Sequence, residues 1–209
     1  MVTTLVLASA SPARLTTLRN AGLDPRVIVS GVDESLVDEA DPTTHVARLA
    51  ELKADAVVPR LTGQDATGVL VLGCDSVLTL DGDVLGKPAN ADDARSRWRR
   101  MSGRSGVLHT GHCLLDLAGG RRVVRTVGTV VHFAEVSEEE IDAYVESGEP
   151  LHVAGAFTLD GLGGAFVRGI EGDPHNVVGV SIPELRTMLA ELGVRWTDLW
   201  RPAERGGAD

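Results

Sequence analysis

Asp75 stands inside the apolar run Val69-Leu-Val-Leu-Gly-Cys-Asp-Ser-Val-Leu78, where a carboxylate is either structurally paired or functional. Downstream, Lys87 lies in Gly86-Lys87-Pro88, and Pro88 leaves it at a strand terminus. The turn Asp81-Gly82-Asp83 sets how near the two come. A three-residue loop pairs Leu80 with Val84 and puts Lys87 opposite Val77, on Asp75's face, with the diagonal at about 7–8 Å. A two-residue loop shifts the register by one and weakens that contact. Such a pair is either a plain ion pair or a base beside a phosphate-binding cation.

Lys53 poses a similar choice. On the helix that Pro42 opens, Val46, Leu49, Ala50 and Val57 form the apolar stripe, and Lys53 falls on it while Glu51 and Asp55 point elsewhere. A lysine on a core face needs a partner or a cleft, because burying its charge alone is costly; snorkelling at the helix edge is the alternative. Arg14 falls in the first turn of the first helix, where a cation opposes the helix dipole. The free N–H groups of that turn, with the hydroxyls of Ser9 and Ser11, would make an anion cradle suited to a polyphosphate; the other reading is a solvated surface arginine. Glu34, in Gly31-Val-Asp-Glu34, offers either a hard oxygen ligand for Mg²⁺ or a solvated acidic turn. Cys74 beside Asp75 lacks an evident base and reads as a small buried apolar residue. His109 and His112 are three apart on a strand and so point to opposite faces, which argues against a metal pair. There is no G-x-x-x-x-G-K-[ST] loop and no H-E-x-x-H, and Gly161-Leu-Gly-Gly-Ala-Phe166 lacks the third glycine of a dinucleotide fingerprint.

The elements that must position these residues are marked by caps and periodicity. Thr4–Ala8 reads as a buried strand leading to a helix capped by Ser11 with Pro12 at its first position, ended by Gly22. Arg26–Val29 reads as a second strand, and Asp41-Pro42 starts a helix to about Val58. Val69–Leu80 is a strand run. Ala91–Met101 is helical, and Val107–Leu117 with Val123–Phe133 makes a long hairpin. Ser137-Glu-Glu-Glu140 opens a helix with a capping box. A glycine-rich stretch from Gly155 to Gly172 precedes a last helix over Pro183–Leu192. Strands and helices alternate early and hairpins dominate the middle, which predicts an α/β fold with a mixed sheet.

With 209 residues, 43% of them hydrophobic, the chain is expected to form one globular domain over 1–202, with a frayed tail at 203–209. A formal charge of −10 argues against nucleic acid as a partner, so a small anionic ligand would need a local cluster of Lys and Arg. No apolar run reaches about 18 residues, so no membrane span is expected, and the first residues lack the basic flank of a signal sequence. Two cysteines point to a reducing, cytoplasmic setting.

The order of the motifs resembles the Maf-like nucleotide pyrophosphatases, from end to end save the last residues. The matching segments begin with Leu7-Ala-Ser-Ala-Ser-Pro-Ala-Arg14, Gly31-Val-Asp-Glu34 and Arg48-Leu-Ala-Glu-Leu-Lys53. They continue through Gly73-Cys-Asp-Ser76, Gly86-Lys-Pro88, Met101-Ser-Gly103 and Thr110-Gly111. They close with Ser147-Gly-Glu-Pro150, Ala154-Gly-Ala156, Gly161-Leu-Gly163 and Asn176-Val-Val-Gly179. The resemblance implies a mixed, largely antiparallel twisted sheet with flanking helices, in two lobes around a cleft. It also implies hydrolysis of a nucleoside triphosphate to the monophosphate and pyrophosphate, with a divalent cation (Mg²⁺, Mn²⁺ or Co²⁺). In this sequence it would make Asp75 the proton acceptor, Glu34 a metal ligand or acid, and Lys53 and Lys87 the cations facing the phosphates. Asp75 joins Glu34 in the expected metal site, and Ser9 and Arg14 lie in the phosphate-binding first loop.

The departures fall at the specificity positions. Branches of that family that favour dTTP and UTP read Ser-Pro-Arg-Arg, Asp-Thr and Gln-Gly, and a 7-methyl-GTP branch reads Ser-Pro-Trp-Arg, Asp-Gln and Glu-Gly. This sequence has Ala13, Ser76 and Asp160 there, which leaves the base open and makes Ser76 and Asp160 candidate substrate contacts. A homodimer is among the family's expectations. The competing reading from another class is a nucleotide-binding regulator of septum formation or cell-division arrest without turnover.

Overall fold

The computed structural model describes residues 3–37, 39–61 and 68–200; the expected tail at 203–209 lies outside them. The strands are β1 Thr4–Leu7, β2 Arg26–Val27, β3 Val69–Leu80, β4 Asp83–Leu85, β5 Ser105–Asp116, β6 Arg121–Phe133 and β7 Val167–Glu171. The helices are α1 Pro12–Asn20, α2 Pro42–Val57, α3 Ala91–Met101, α4 Glu138–Glu146, α5 Pro174–Val178 and α6 Ile182–Glu191. Among the described residues these strands form one mixed sheet in the order β2-β1-β3-β5-β6-β7, with β4 also on β3. The β1 pairings with β2 and β3 are parallel and the others antiparallel. This is the expected mixed α/β sheet with flanking helices.

The caps act as their residue types require. The side chains of Ser11, Asp41 and Ser181 accept the N–H three residues on, each with a proline in the first turn, and Ser137 with Glu140 completes its capping box. One expectation is corrected: β2 is shorter than Arg26–Val29, and the stretch from Gly155 to Gly172, given no element by its composition, contains a strand, β7. α5 follows it, and its Asp173-Pro174 start carries the same cap signal as α2.

β3 organises the molecule. One edge pairs with β5 over Leu70–Thr79. Its other edge is shared: Val69–Leu72 pairs with β1, and Leu78–Leu80 pairs with β4. Between them, no strand among the described residues pairs with Gly73–Val77 on that side. The turn into β4 has two residues, Asp81 and Gly82, both with positive φ, the I′ geometry whose twist suits a tight hairpin. Of the two registers the turn allows, the two-residue one is observed: Leu80 pairs with Asp83, and continuing the ladder brings Lys87 level with Ser76.

On the face of the sheet away from α2, the gap separates two of the three core clusters. On the β1 side, Leu5, Leu7, Leu70, Leu72 and Cys74 pack under α1 and α6. Beyond it, Leu78, Leu80 and Leu85 pack with Trp98, Phe133 and Tyr144. α2 lies across the opposite face of the sheet. A Cβ on Gly73 would overlap the carbonyl oxygen of Ala50, and one on Gly111 would overlap that of Val46. These two glycines let the helix backbone rest directly on β3 and β5. Gly111→Ala is expected to cost about 3 kcal/mol, since neither backbone can yield cheaply. That corresponds to roughly 6–12 °C in Tm for a chain of this size. A thermal scan showing an unchanged Tm would remove the close seating of α2 from the account.

Candidate active site

A cleft of about 590 Å³ opens at the gap in β3. The loop after β1 enters it from one side of the gap and the segment after β4 from the other. Ser9, Arg14, Glu34, Lys53, Asp75, Ser76, Lys87 and Asp160 all line it. Asp75 and Ser76 point to opposite faces of β3, yet both reach the cleft because no strand covers that edge.

On the α2 face, Asp75 is directly opposite Gly111, whose missing side chain lets the helix come close. Lys53, on the buried stripe of α2, is 7% exposed, and its Nζ lies 2.6 Å from Asp75 Oδ1 and 2.6 Å from Glu34 Oε1. The lysine is therefore held between two carboxylates and does not snorkel. Glu34 sits in a 3₁₀ turn, Glu34–Leu36, capped by Asp33. Burial pushes its carboxyl up, but the hydrogen bond and charge of Lys53, with Lys87 and Arg14, outweigh it and hold the pKa below the usual glutamate value. Asp75 lines the cleft, and among the described residues its Oδ1 is committed to Lys53 while Oδ2 carries no hydrogen bond.

On the other face, Arg14 is buried rather than solvated. Its Nε donates to Gly179 O at 2.8 Å, one terminal nitrogen to Ser9 Oγ and the other to Ser76 Oγ, each at 3.1 Å. Three of five N–H groups are committed, which leaves two for a ligand. Thr110 Oγ1 donates to Asn176 O, so the Ser76 hydroxyl donates to Thr110 and accepts from Arg14. Ser76 thus positions the arginine. Thr110, Asn176 and Gly179, all matched in the motif string but given no role by sequence reasoning, are the anchors of that arrangement. His45, Leu49 and Lys53 repeat at i+4 along α2 and all line the cleft, a periodic signal that sequence reasoning passed over for His45.

A model of the family described as Maf-like protein matches residues 4–192. The chain belongs to the Maf-like family. A curated relative from Salinispora tropica, named nucleoside triphosphate pyrophosphatase, is 60% identical over 196 residues, covering 94% of this chain and 87% of the relative. Relatives of the same name from Streptomyces coelicolor (57% identical; 96% of each chain) and Mycobacterium sp. strain JLS (50% identical; 96% of this chain, 99% of the relative) match almost throughout.

Other polar groups of this Maf-like chain are silent by their surroundings. Burial pushes the Cys74 thiol up to about 11 and that of Cys113 to about 12, so neither is a ready nucleophile. The histidines separate as expected: His109 contacts Thr79, and the buried His112 accepts the Ser181 N–H through Nε2 at 2.9 Å. Burial, with the nearby Arg14 charge, pushes His112 from 6.5 down to about 4. The unfolded chain binds that proton near 6.5, whereas the folded protein binds it only near 4. Stability should therefore be full above pH 6.5 and fall as pH drops towards 4, by up to about 3 kcal/mol from this residue. Denaturant titrations at several pH values should show a flatter dependence in His112→Gln; identical slopes would assign the acid sensitivity elsewhere. Among the described residues no helix is long and apolar enough to cross a membrane.

Proposed function

We propose that this Maf-like chain hydrolyses nucleoside triphosphates at the α-phosphorus, releasing the monophosphate and pyrophosphate. The observation that carries this reading is the Glu34–Lys53–Asp75 constellation at an open sheet edge, facing the Arg14 cradle across one cleft. The name borne by the relatives, nucleoside triphosphate pyrophosphatase, supports it. Two free, buried cysteines support a reducing setting, the cytoplasm.

In this reading Asp75 Oδ2 orients a water and accepts its proton as the water oxygen bonds to the α-phosphorus. The bond from that phosphorus to the bridging oxygen breaks, and pyrophosphate leaves with the electron pair. Lys53 holds Asp75 aimed through the bond to Oδ1. The two remaining N–H groups of Arg14, the N-terminus of α1, and Lys87 from the opposite wall spread the charge that develops on the phosphate oxygens. Glu34 and Asp75 flank Lys53, and their oxygens not bonded to it are the hard ligands that would hold Mg²⁺, Mn²⁺ or Co²⁺. Among the described residues no three His, Cys, Asp or Glu side chains group together, so the protein supplies a carboxylate pair rather than a cage. That fits a cation completed by phosphate oxygens and water. When bound, such an ion neutralises triphosphate charge.

Asp160 lines the cleft as an acceptor-only carboxylate. It suits the N1–H and exocyclic amine of guanine-like bases better than uracil or thymine, which set two carbonyls about one N–H. Pyrophosphate release from GTP, 7-methyl-GTP, dTTP and UTP tests both points. Release is expected, with kcat/KM favouring the guanine derivatives. Orthophosphate as the product would make the chain a different phosphohydrolase, binding without product would make it a regulator, and a preference for UTP or dTTP would remove Asp160 from the base site.

A further inference from the structure

The segment that carries Asp160 into the cleft is held by a carboxylate that does not line the cleft. Glu149 opens a 3₁₀ turn beside α4. Its Oε1 accepts from Tyr144 Oη at 3.0 Å, Thr158 Oγ1 at 2.6 Å and Gly163 N at 3.0 Å. Its Oε2 accepts from Leu162 N at 3.0 Å. Leu162 and Gly163 begin the turn Leu162–Phe166, whose first N–H groups have no partner within the turn. Tyr144 Oη also accepts from Thr158 N at 3.2 Å, so it donates its proton to Glu149.

The clasp closes both ends of a short loop. Thr158 is held at the entry, Leu162 and Gly163 at the exit, and Thr158, Leu159 and Asp160 line the cleft. Two glycines make the fit close. A Cβ on Gly161 would lie 2.5 Å from Glu149 Oε2, and one on Gly163 would overlap Tyr144 Oη. Tyr144 is itself fixed, edge-on to Trp98 with ring centroids 5.3 Å apart and tilted against Phe166 at 5.5 Å. A loop in this state has one geometry to present to a ligand. Asp160, by contrast, lies exposed at its tip and cannot set its own position.

We propose that Glu149 is a positioning residue for base recognition: by clasping Thr158 to Gly163 it sets where Asp160 and Leu159 meet the base. This rests on the reading of the cleft as a nucleoside triphosphate site and adds a residue that touches no substrate. Loss of the clasp then affects substrates according to their base, whereas a merely structural role would affect all triphosphates alike.

Glu149→Gln is the test, since the amide keeps the size but sets an N–H₂ against the Leu162 N–H. Kinetics are compared for GTP, UTP and methyl triphosphate, which has no base. KM for the preferred nucleotide should rise about tenfold with kcat within about threefold. The GTP-to-UTP ratio of kcat/KM should contract by about tenfold. Methyl triphosphate hydrolysis should stay within about threefold of the parent. A retained ratio, or a base-less substrate that loses activity in step with GTP, overturns the proposal. Tyr144→Phe keeps the ring and removes one hydroxyl of the clasp, so it should give a smaller contraction of the same sign and decides the matter if the glutamine variant does not fold. If the parent releases no pyrophosphate, equilibrium titration with GTP and UTP still applies: a contracted Kd ratio in the variants supports the clasp, and an unchanged one overturns it. Failure of the activity and failure of the clasp are thereby read separately.

Discussion

Asp75→Asn is expected to lower kcat by about 10²–10⁴-fold while leaving nucleotide affinity largely intact. The amide oxygen can still accept from Lys53 Nζ, so the link at Oδ1 survives. What disappears is the second carboxylate oxygen, the one proposed to take the proton from water. The substitution is nearly isosteric in a residue that is 6% exposed, so the fold should persist. Single-turnover kinetics and nucleotide titration on the same preparation separate the two effects. Turnover within a few-fold of the parent would leave Asp75 as a structural partner of Lys53 and nothing more. A loss of binding equal to the loss of rate would mean that its role lies in holding substrate.

Lys53→Ala should be the most damaging single truncation of a cation. It leaves Asp75 and Glu34 converging on an empty position with no charge between them. Breaking a buried pair by removing one partner costs about 3–5 kcal/mol, and the half-exposed Glu34 side chain brings the figure to the lower end, because water screens its share. A fall in Tm of roughly 6–12 °C follows from about 3 kcal/mol. The kinetic loss should exceed what unfolding explains, with kcat/KM down by about 10²-fold or more in the folded protein, since the proposed base is no longer aimed. Lys53→Arg distinguishes charge from geometry, because the longer, planar guanidinium keeps the charge but replaces a compact point donor with a rigid fork. A Lys53→Ala protein that is less stable but turns over normally would reduce the constellation to a structural ion pair.

Much of the fold was legible along the chain because its signals are short in range. Ser11-Pro12, Asp41-Pro42 and the Ser137 box mark helix starts through bonds made within three residues. Val69–Leu80 is read from an unbroken apolar run and is the strand observed. Lys53 stands out because an ammonium on a buried stripe contradicts the pattern around it, and Asp75 for the same reason on a strand. Where the local signal was ambiguous the reading split. The turn at Asp81-Gly82 permits two or three residues by composition, and the backbone, with positive φ at both, takes two.

By itself, then, the sequence determined which residues are chemically out of place, where most elements start, and the family to which the chain belongs. The tertiary structure decided what those residues face. The gap at Gly73–Val77 exists because β1 and β4 stop short of one another on the same edge of β3, and neither strand's own residues encode that meeting. Arg14 is buried because Gly179, 165 positions away in the chain, offers its carbonyl, and Ser76 holds the same guanidinium from the other side. α2 brings Lys53 to Asp75 because two glycines on neighbouring strands lack a Cβ where the helix passes. Each of these is a contact between segments whose separation along the chain carries no periodicity, so it arises only when the packed sheet brings them to one place.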